Sequence, residues 1–168
     1  MSASLSLAAA EIGEVSMYKV SPRFMKILLN IYGPYLGAGV RVNHIASDWK
    51  ELRVSMKLRW FNRNAVGTHF GGSLYSMVDP HLMLMLMQLL GPEYTVWDKS
   101  ASIDFVRPGK GKVNSVLTLS DAQVSEVKER AENGRPLYPE FEVEIHNESG
   151  ELVAKVLKTL YVRKKKAA

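Results

Sequence analysis

The stretch Gly71-Gly-Ser-Leu-Tyr-Ser-Met-Val-Asp-Pro-His-Leu-Met-Leu-Met-Leu-Met-Gln-Leu-Leu90 decides the fold of this chain. It opens on two glycines and continues into the most apolar run of the sequence. Leu82 to Met87 is uninterrupted by polar or β-branched residues, which favours a helix over a strand. About seventeen residues at ~1.5 Å per residue give a helix of about 26 Å. A helix that is apolar on all sides must be buried on all sides, so the rest of the chain is predicted to wrap it.

The remaining sequence predicts one helix and then a series of strands. Ser21-Pro22 is typical of a helix start, and Gly33-Pro34 is predicted to end that helix. Alternating apolar and polar residues predict strands near 40–45, 51–60, 94–106, 112–124, 137–147 and 151–163, with an exposed connection over 125–136. Successive strands joined by short turns pair antiparallel. We therefore predict an α+β fold with a curled antiparallel sheet around the central helix.

Length and composition indicate one globular domain without a cofactor. The chain of 168 residues is predicted to form an N-terminal arm (1–20), a single domain (21–163) and a basic tail (164–168). It has no cysteine, and its four histidines lack the spacing of metal ligands, so we expect neither metal nor cofactor.

Charge and hydropathy restrict the partners. Much of the net charge of +5 lies in the tail, and no motif combines aromatic and basic residues, so nucleic acid is not expected as a ligand. The central run begins with polar residues and is too short to span a membrane, which takes ~20 mostly apolar residues. The first ten residues lack a basic region followed by an apolar core, so we expect a cytoplasmic protein.

The segment Gly71–Asp79 resembles the Gly-Gly-x-x-(aromatic)-x-(apolar)-(small)-Asp signature of hotdog acyl-CoA thioesterases of the phenylacetate-pathway type. Asn64 and Gly67 match an upstream Asn-x-x-Gly, and Ile103–Gly111 resembles the family's strand and Arg-Pro turn. The resemblance covers 38–163 and implies the hotdog fold. The family usually has His directly before the glycine pair, where this chain has Phe70, with His69 one residue earlier. This departure points to a thioesterase-like subgroup.

Two features of the central stretch suit acyl transfer. A glycine pair that opens a helix presents free N–H groups and lets a carbonyl approach the backbone, as an oxyanion hole requires; the alternative is a tight loop needed only for packing. A carboxylate at Asp79 within an apolar helix is costly unless it faces water, a partner or a substrate; the alternative is a nearby Ser or His that satisfies it. Pro80 predicts a kink beside Asp79.

The resemblance also implies roles for individual residues. Asp79 would be the general base or nucleophile, the Gly71 N–H the oxyanion donor, and Asn64 a residue that orients water or substrate. His69 would polarise the carbonyl, unless it is simply packed or on the surface. Substrate contacts are expected from Gly72, Ser73, Tyr75 and Ser76, and CoA phosphate contacts from Arg107, Lys110 and Lys112, which otherwise form an ordinary charged turn.

Gly71 and Asp79 are eight residues apart, which is about 12 Å along a helix, so one thioester cannot touch both on a single chain. Two antiparallel helices from two subunits would bring them together, and the resemblance implies a homodimer or homotetramer with shared sites. We therefore predict an acyl-CoA thioesterase. The alternative is a non-catalytic acyl or lipid binder on the same scaffold. A hotdog dehydratase ranks last because no Asp-x-x-x-x-His pattern is present.

Overall fold

The computed structural model describes residues 20–166, so all of the predicted N-terminal arm except Val20 lies outside the described residues. Its elements in chain order are α1 (Pro22–Ile31), α2 (Gly33–Ala38), β1 (Val40–Ile45), β2 (Glu51–Lys57), α3 (Gly71–Ser76), α4 (His81–Leu90), β3 (Tyr94–Phe105), β4 (Lys112–Thr118), α5 (Asp121–Ala131), β5 (Glu140–Asn147) and β6 (Leu152–Lys164). None of the described helices combines the length and apolarity needed to cross a lipid bilayer.

The six strands form one antiparallel sheet in the order β1-β2-β4-β5-β6-β3. The sheet curls around the central helical segment, and Leu82, Met85 and Leu86 of α4 are almost completely buried in the resulting core. Burial of side chains of this size supplies roughly 1.5–3 kcal/mol each relative to exposure. The predicted hotdog fold is therefore confirmed.

The central helix is broken, contrary to the prediction of one continuous helix. The helix α3 ends at Ser76, and α4 begins at His81 after a turn over residues 77–80. The physical reason is Pro80, which has no N–H to donate and whose ring clashes with the preceding turn. The predicted kink is thus a complete interruption, and Asp79 lies in the turn between the two halves.

A second helix, which was not predicted, follows the first. Ser21 caps α1, because its hydroxyl accepts a hydrogen bond from Phe24 N at 3.3 Å, as the Ser-Pro pair predicted. The helix α1 ends at Ile31, just before Gly33-Pro34, as predicted. Proline also suits the first turn of a helix, and here the pair starts α2.

The segment predicted as an exposed connection over 125–136 contains most of α5. A capping box starts this helix: Ser120 N donates to Gln123 Oε1 at 2.9 Å, and Gln123 N donates to Ser120 Oγ at 3.2 Å. Val124 and Val127 are buried, one helical turn apart. The preceding strand β4 consequently ends at Thr118 and not near residue 124. The high charge of the segment reflects the solvent face of the helix.

One predicted strand is also shorter at its end. The strand predicted near 51–60 stops at Lys57, and its inward face carries Leu52, Val54 and Met56. Trp60 therefore lies beyond the strand, and it is 83% exposed.

The two edges of the sheet differ in their cover. On β1, the Asn30 side chain donates to Val42 O at 3.0 Å and accepts from Val42 N at 2.9 Å, so α1 blocks pairing there. The other edge strand, β3, pairs with β6 alone among residues 20–166. From Lys99 to Val106 every residue of this segment is exposed except the half-buried Ile103. An open edge of this kind is a template for pairing with another chain.

Candidate functional site

A cavity of about 430 Å³ lies where the loop before α3 meets the end of β3. Three segments line it: the loop 64–69, the start of α3, and the turn 105–109. The polar or aromatic residues in its wall are Asn64, Thr68, His69, Phe105 and Arg107, and Gly71 provides backbone. Gly71 of the glycine pair and Arg107 of the Arg-Pro turn, both predicted as site residues, therefore line one cavity.

The Asn64 side chain holds the loop together. Its Nδ2 donates to Thr68 Oγ1 at 2.9 Å and to His69 O at 3.3 Å, while Oδ1 accepts from Val66 N at 3.1 Å and Thr68 N at 3.0 Å. An amide has two N–H donors and two acceptor lone pairs, and all four serve the loop. Asn64 thus shapes the cavity wall and has no remaining group with which to orient water.

His69 lines the cavity as a neutral acceptor. Its Nε2 lies 3.1 Å from Gly111 O, and a carbonyl oxygen can only accept, so Nε2 carries the proton. Nδ1 is then a bare lone pair, and it is buried without a partner among the described residues. Burial lowers the pKa of His69, against the opposing effect of the Gly111 carbonyl. A neutral imidazole in this tautomer accepts a hydrogen bond at Nδ1 and does not polarise a carbonyl from that atom.

Gly71 is closely covered by an aromatic ring. A Cβ at this position would lie 2.8 Å from Phe105 Cζ, so a side chain there would displace the ring. In the first turn of α3, Ser73 N and Leu74 N both donate to Phe70 O, at 2.9 and 3.1 Å. Within residues 20–166 the N–H of Gly71 has no acceptor, as expected at the first position of a helix.

Asp79 does not line this cavity; it lies over a buried lysine. Lys158, on β6, is completely buried, and its Nζ donates to Asp79 Oδ1 at 2.9 Å and to the Asp79 main-chain carbonyl. Nζ also lies 2.8 Å from Asp98 Oδ1, a close ion pair whose angle falls outside hydrogen-bond geometry, and 3.5 Å from the Tyr75 hydroxyl. The Asp79 side chain remains 43% exposed, so it is anchored from the core and open towards solvent.

The ionisation of this cluster follows from its burial and its charges. Burial alone lowers the pKa of Lys158, but the contacts with Asp98 and Asp79 outweigh it, and the pKa lies above its ordinary value. Burial raises the pKa of Asp98, opposed by Lys158. Burial and the Asp79 carboxylate raise the pKa of Tyr75. Lys158 is therefore a fixed cation and not a nucleophilic amine.

His81, the first residue of α4, is fully buried. Its Nε2 lies 3.1 Å from the Tyr35 hydroxyl, and the two rings pack edge to face with centroids 5.7 Å apart. Burial lowers the pKa of His81 to about 3. The contact ties α2 to the start of α4.

The low pKa of His81 predicts acid destabilisation. Below pH ~6.5 the unfolded chain binds a proton at this residue that the folded chain does not, so stability is full above pH ~6.5 and falls as pH drops towards 3. The variant His81→Gln removes this proton and is expected to reduce the slope of unfolding free energy against pH by about 1.4 kcal/mol per unit. Urea titrations between pH 4 and 8 measure the slope. An unchanged slope would show that His81 does not bury its neutral form.

The predicted site residues fall into separate groups. Asn64, His69, Gly71 and Arg107 line the cavity. Gly72, Ser73 and Ser76 instead line a shallow groove between α2 and α3, of about 340 Å³. Tyr75 and Asp79 contact Lys158. Lys110 and Lys112 are exposed outside these spaces, and Arg107 also pairs with Glu151.

Two charged residues of the cluster, Lys158 and Asp98, were not among the predicted site residues. A signal for Lys158 was present, because it interrupts the apolar inward face of β6 between Val156 and Leu160. A lysine in that register must be buried and therefore paired. Asp98 gave no such signal, since it lies beside an irregularity in the pairing of β3 with β6 that the sequence pattern does not reveal.

Comparison with solved structures finds the same fold in proteins described as thioesterases. A protein of unknown function from Pseudomonas aeruginosa, described as a probable thioesterase, has a TM-score of 0.78 at 17% identity, covering 88% of this chain and 99% of that one. A thioesterase from Haemophilus influenzae has a TM-score of 0.64 at 15% identity, covering 87% and 92%. A mutant of the phenylacetic acid degradation protein PaaI from Thermus thermophilus has 0.53 at 25% identity, covering 76% and 96%.

No curated protein matches the chain in a sequence search. A family model described as a domain of unknown function, DUF4442, matches residues 21–162, which is nearly the whole described chain. The chain therefore belongs to the DUF4442 family, and it has the hotdog fold of the thioesterases to which it is similar.

Proposed function

We propose that this protein is a thioesterase that hydrolyses an acyl-CoA or a related thioester at a site shared between two subunits. One observation carries the proposal: among residues 20–166 no carboxylate lines the cavity beside Gly71, while Asp79, half-exposed, lies outside that cavity. A second copy could supply the missing acid. The fold likeness to thioesterases supports the reaction class.

The reaction needs an oxyanion donor and a means to deliver water. The free N–H of Gly71 would face the thioester carbonyl in the cavity, and the partner's Asp79 would accept a proton from the attacking water. Water then adds to the carbonyl carbon, the carbon–sulfur bond breaks, and the sulfur leaves with a proton. The products are a carboxylic acid and a free thiol, and no oxidant or further reactant is needed.

The open edge of β3 supports a homodimer. Antiparallel pairing of two β3 edges would extend the sheet across a two-fold axis and cover the exposed segment 99–106. The other edge is blocked by Asn30. Such a dimer would bring the exposed Phe105 and the cavity of each subunit towards the partner. A tetramer would require a further surface.

The cations near the cavity would contact the anionic part of the substrate. Arg107 lines the cavity, Lys110 is exposed in the turn that follows, and Lys112 is exposed at the start of β4. Guanidinium and ammonium groups both bind phosphate, which CoA carries. Arg107 is already paired with Glu151, so it would be shared between that carboxylate and the substrate.

A non-catalytic acyl or lipid binder is the second candidate. It is favoured by the ion pair with Lys158, because Asp79 Oδ1 already accepts from the buried ammonium at 2.9 Å and a carboxylate engaged in this way can have a structural role alone. The same scaffold would then hold a thioester or fatty acid without cleaving it.

Release of free thiol from acyl-CoA substrates of two to sixteen carbons tests the proposal. We expect hydrolysis above the spontaneous rate for at least one chain length, saturating with substrate. Binding of the same acyl-CoA by calorimetry without thiol release would support the binder. Neither release nor binding would remove both candidates.

A further inference from the structure

The fully buried Lys158 has an unusual set of partners. Its ammonium group has three hydrogens, and four oxygens surround it: the carboxylate and main-chain oxygens of Asp79, Asp98 Oδ1 and the Tyr75 hydroxyl. Two of these belong to the residue at the break between α3 and α4. Asp79 lies outside both helices, and among residues 20–166 its main-chain carbonyl accepts a hydrogen bond from Lys158 Nζ. One lysine therefore fixes both the main chain and the carboxylate of Asp79.

Asp98 changes the charge of this arrangement. With Lys158 and Asp79 alone, the pair would be neutral. Asp98, half-buried on β3, shares the same ammonium at 2.8 Å, so the three groups carry a net charge of −1. The lysine is thus divided between two carboxylates and neutralises Asp79 only in part. A carboxylate that is held in place but incompletely neutralised keeps its capacity to accept a proton.

We propose that Lys158 and Asp98 are positioning residues that hold the Asp79 carboxylate at the helix break. The inference rests on the proposed hydrolase function and names residues that act through Asp79 without touching substrate. Its consequence is that Lys158 holds Asp79 directly, whereas Asp98 acts by holding the Lys158 ammonium.

The test compares Lys158→Met, Asp98→Asn and a control on the same strand. Lys155→Met removes an exposed β6 lysine that pairs with Glu142 at 2.7 Å and points away from the cluster. We expect Lys158→Met to lower kcat by about 10- to 100-fold through misplacement of Asp79, with little change in KM. Asp98→Asn should lower kcat by a smaller factor than Lys158→Met, because asparagine keeps an oxygen beside the ammonium. Lys155→Met should match the parent.

The outcomes separate this inference from the proposed function. If the parent protein hydrolyses thioesters and neither variant lowers kcat, the positioning inference is wrong and the hydrolase stands. If the parent protein releases no thiol from any substrate, both fall. If Lys158→Met does not fold, Asp98→Asn, which keeps shape and the buried lysine, decides the matter alone: an unchanged kcat would overturn the inference.

Discussion

Replacing Asp79 by asparagine is expected to reduce thioester hydrolysis by about 10²- to 10⁴-fold, the range for loss of a positioned general base. Asparagine has nearly the same shape, and its side-chain oxygen can still accept from Lys158, which lies 2.9 Å from Asp79 Oδ1. The fold and the binding of acyl-CoA should therefore remain. Thiol release measures the rate, and calorimetry measures the binding.

A matched variant controls for loss of a carboxylate in general. Asp121 lies at the start of α5 with its side chain 83% exposed and pairs with Lys50 at 2.6 Å. Exposed pairs of this kind contribute little, about 0–1 kcal/mol, so Asp121→Asn should retain full activity. If Asp79→Asn hydrolyses acyl-CoA at the rate of the parent, Asp79 is not the base and the chemistry lies elsewhere.

Adding negative charge to the open edge of β3 is expected to separate the subunits and to remove activity with them. Ser100 and Ser102 are exposed on the same face of this strand, and Ser102 is opposite Leu157 on the face away from Lys158. The double variant Ser100→Glu/Ser102→Glu would place four carboxylates close together across the two-fold axis. We expect a monomer whose hydrolysis falls by about 10²-fold or more, because each cavity loses its acid.

The other edge of the sheet provides the control. Arg41 and Asn43 are exposed on β1, whose edge is already covered by α1, so Arg41→Glu/Asn43→Glu should change neither assembly nor rate. Light scattering during size-exclusion chromatography measures the mass of each variant. A monomeric β3 variant that keeps full activity would mean that one chain contains a complete site.

The fold was predictable because its elements follow local rules. The apolar run after Pro80, the alternation in β5 and the Ser-Pro start of α1 each point to the structure observed. The errors arose where a local signal had two meanings. A charged segment is either a loop or a solvent-facing helix, and only the Ser120–Gln123 capping box marks α5 as the latter.

The site was less predictable than the fold, because side-chain partners depend on contacts distant in sequence. His69 was identified as a candidate, but its tautomer depends on Gly111, 42 residues away. Asp79 was identified as an acid that needs a partner, yet that partner, Lys158, lies 79 residues further along the chain. Residue patterns indicated which groups mattered and not how they are held. The cytoplasmic location and the exclusion of nucleic acid stay predictions.

Subunit complementation tests the shared site most directly. Gly71→Val would disable the cavity, since its Cβ would lie 2.8 Å from Phe105 Cζ, while Asp79→Asn would disable the acid. The purified heterodimer contains one Gly71→Val subunit and one Asp79→Asn subunit. If the sites are shared, one of the two sites stays intact, because it combines the normal Gly71 of one chain with the normal Asp79 of the other. We predict that this heterodimer regains about half of the parent activity, although each homodimer is inactive. A heterodimer as inactive as the two variant homodimers would contradict the account, because it would place both groups in the site of a single chain.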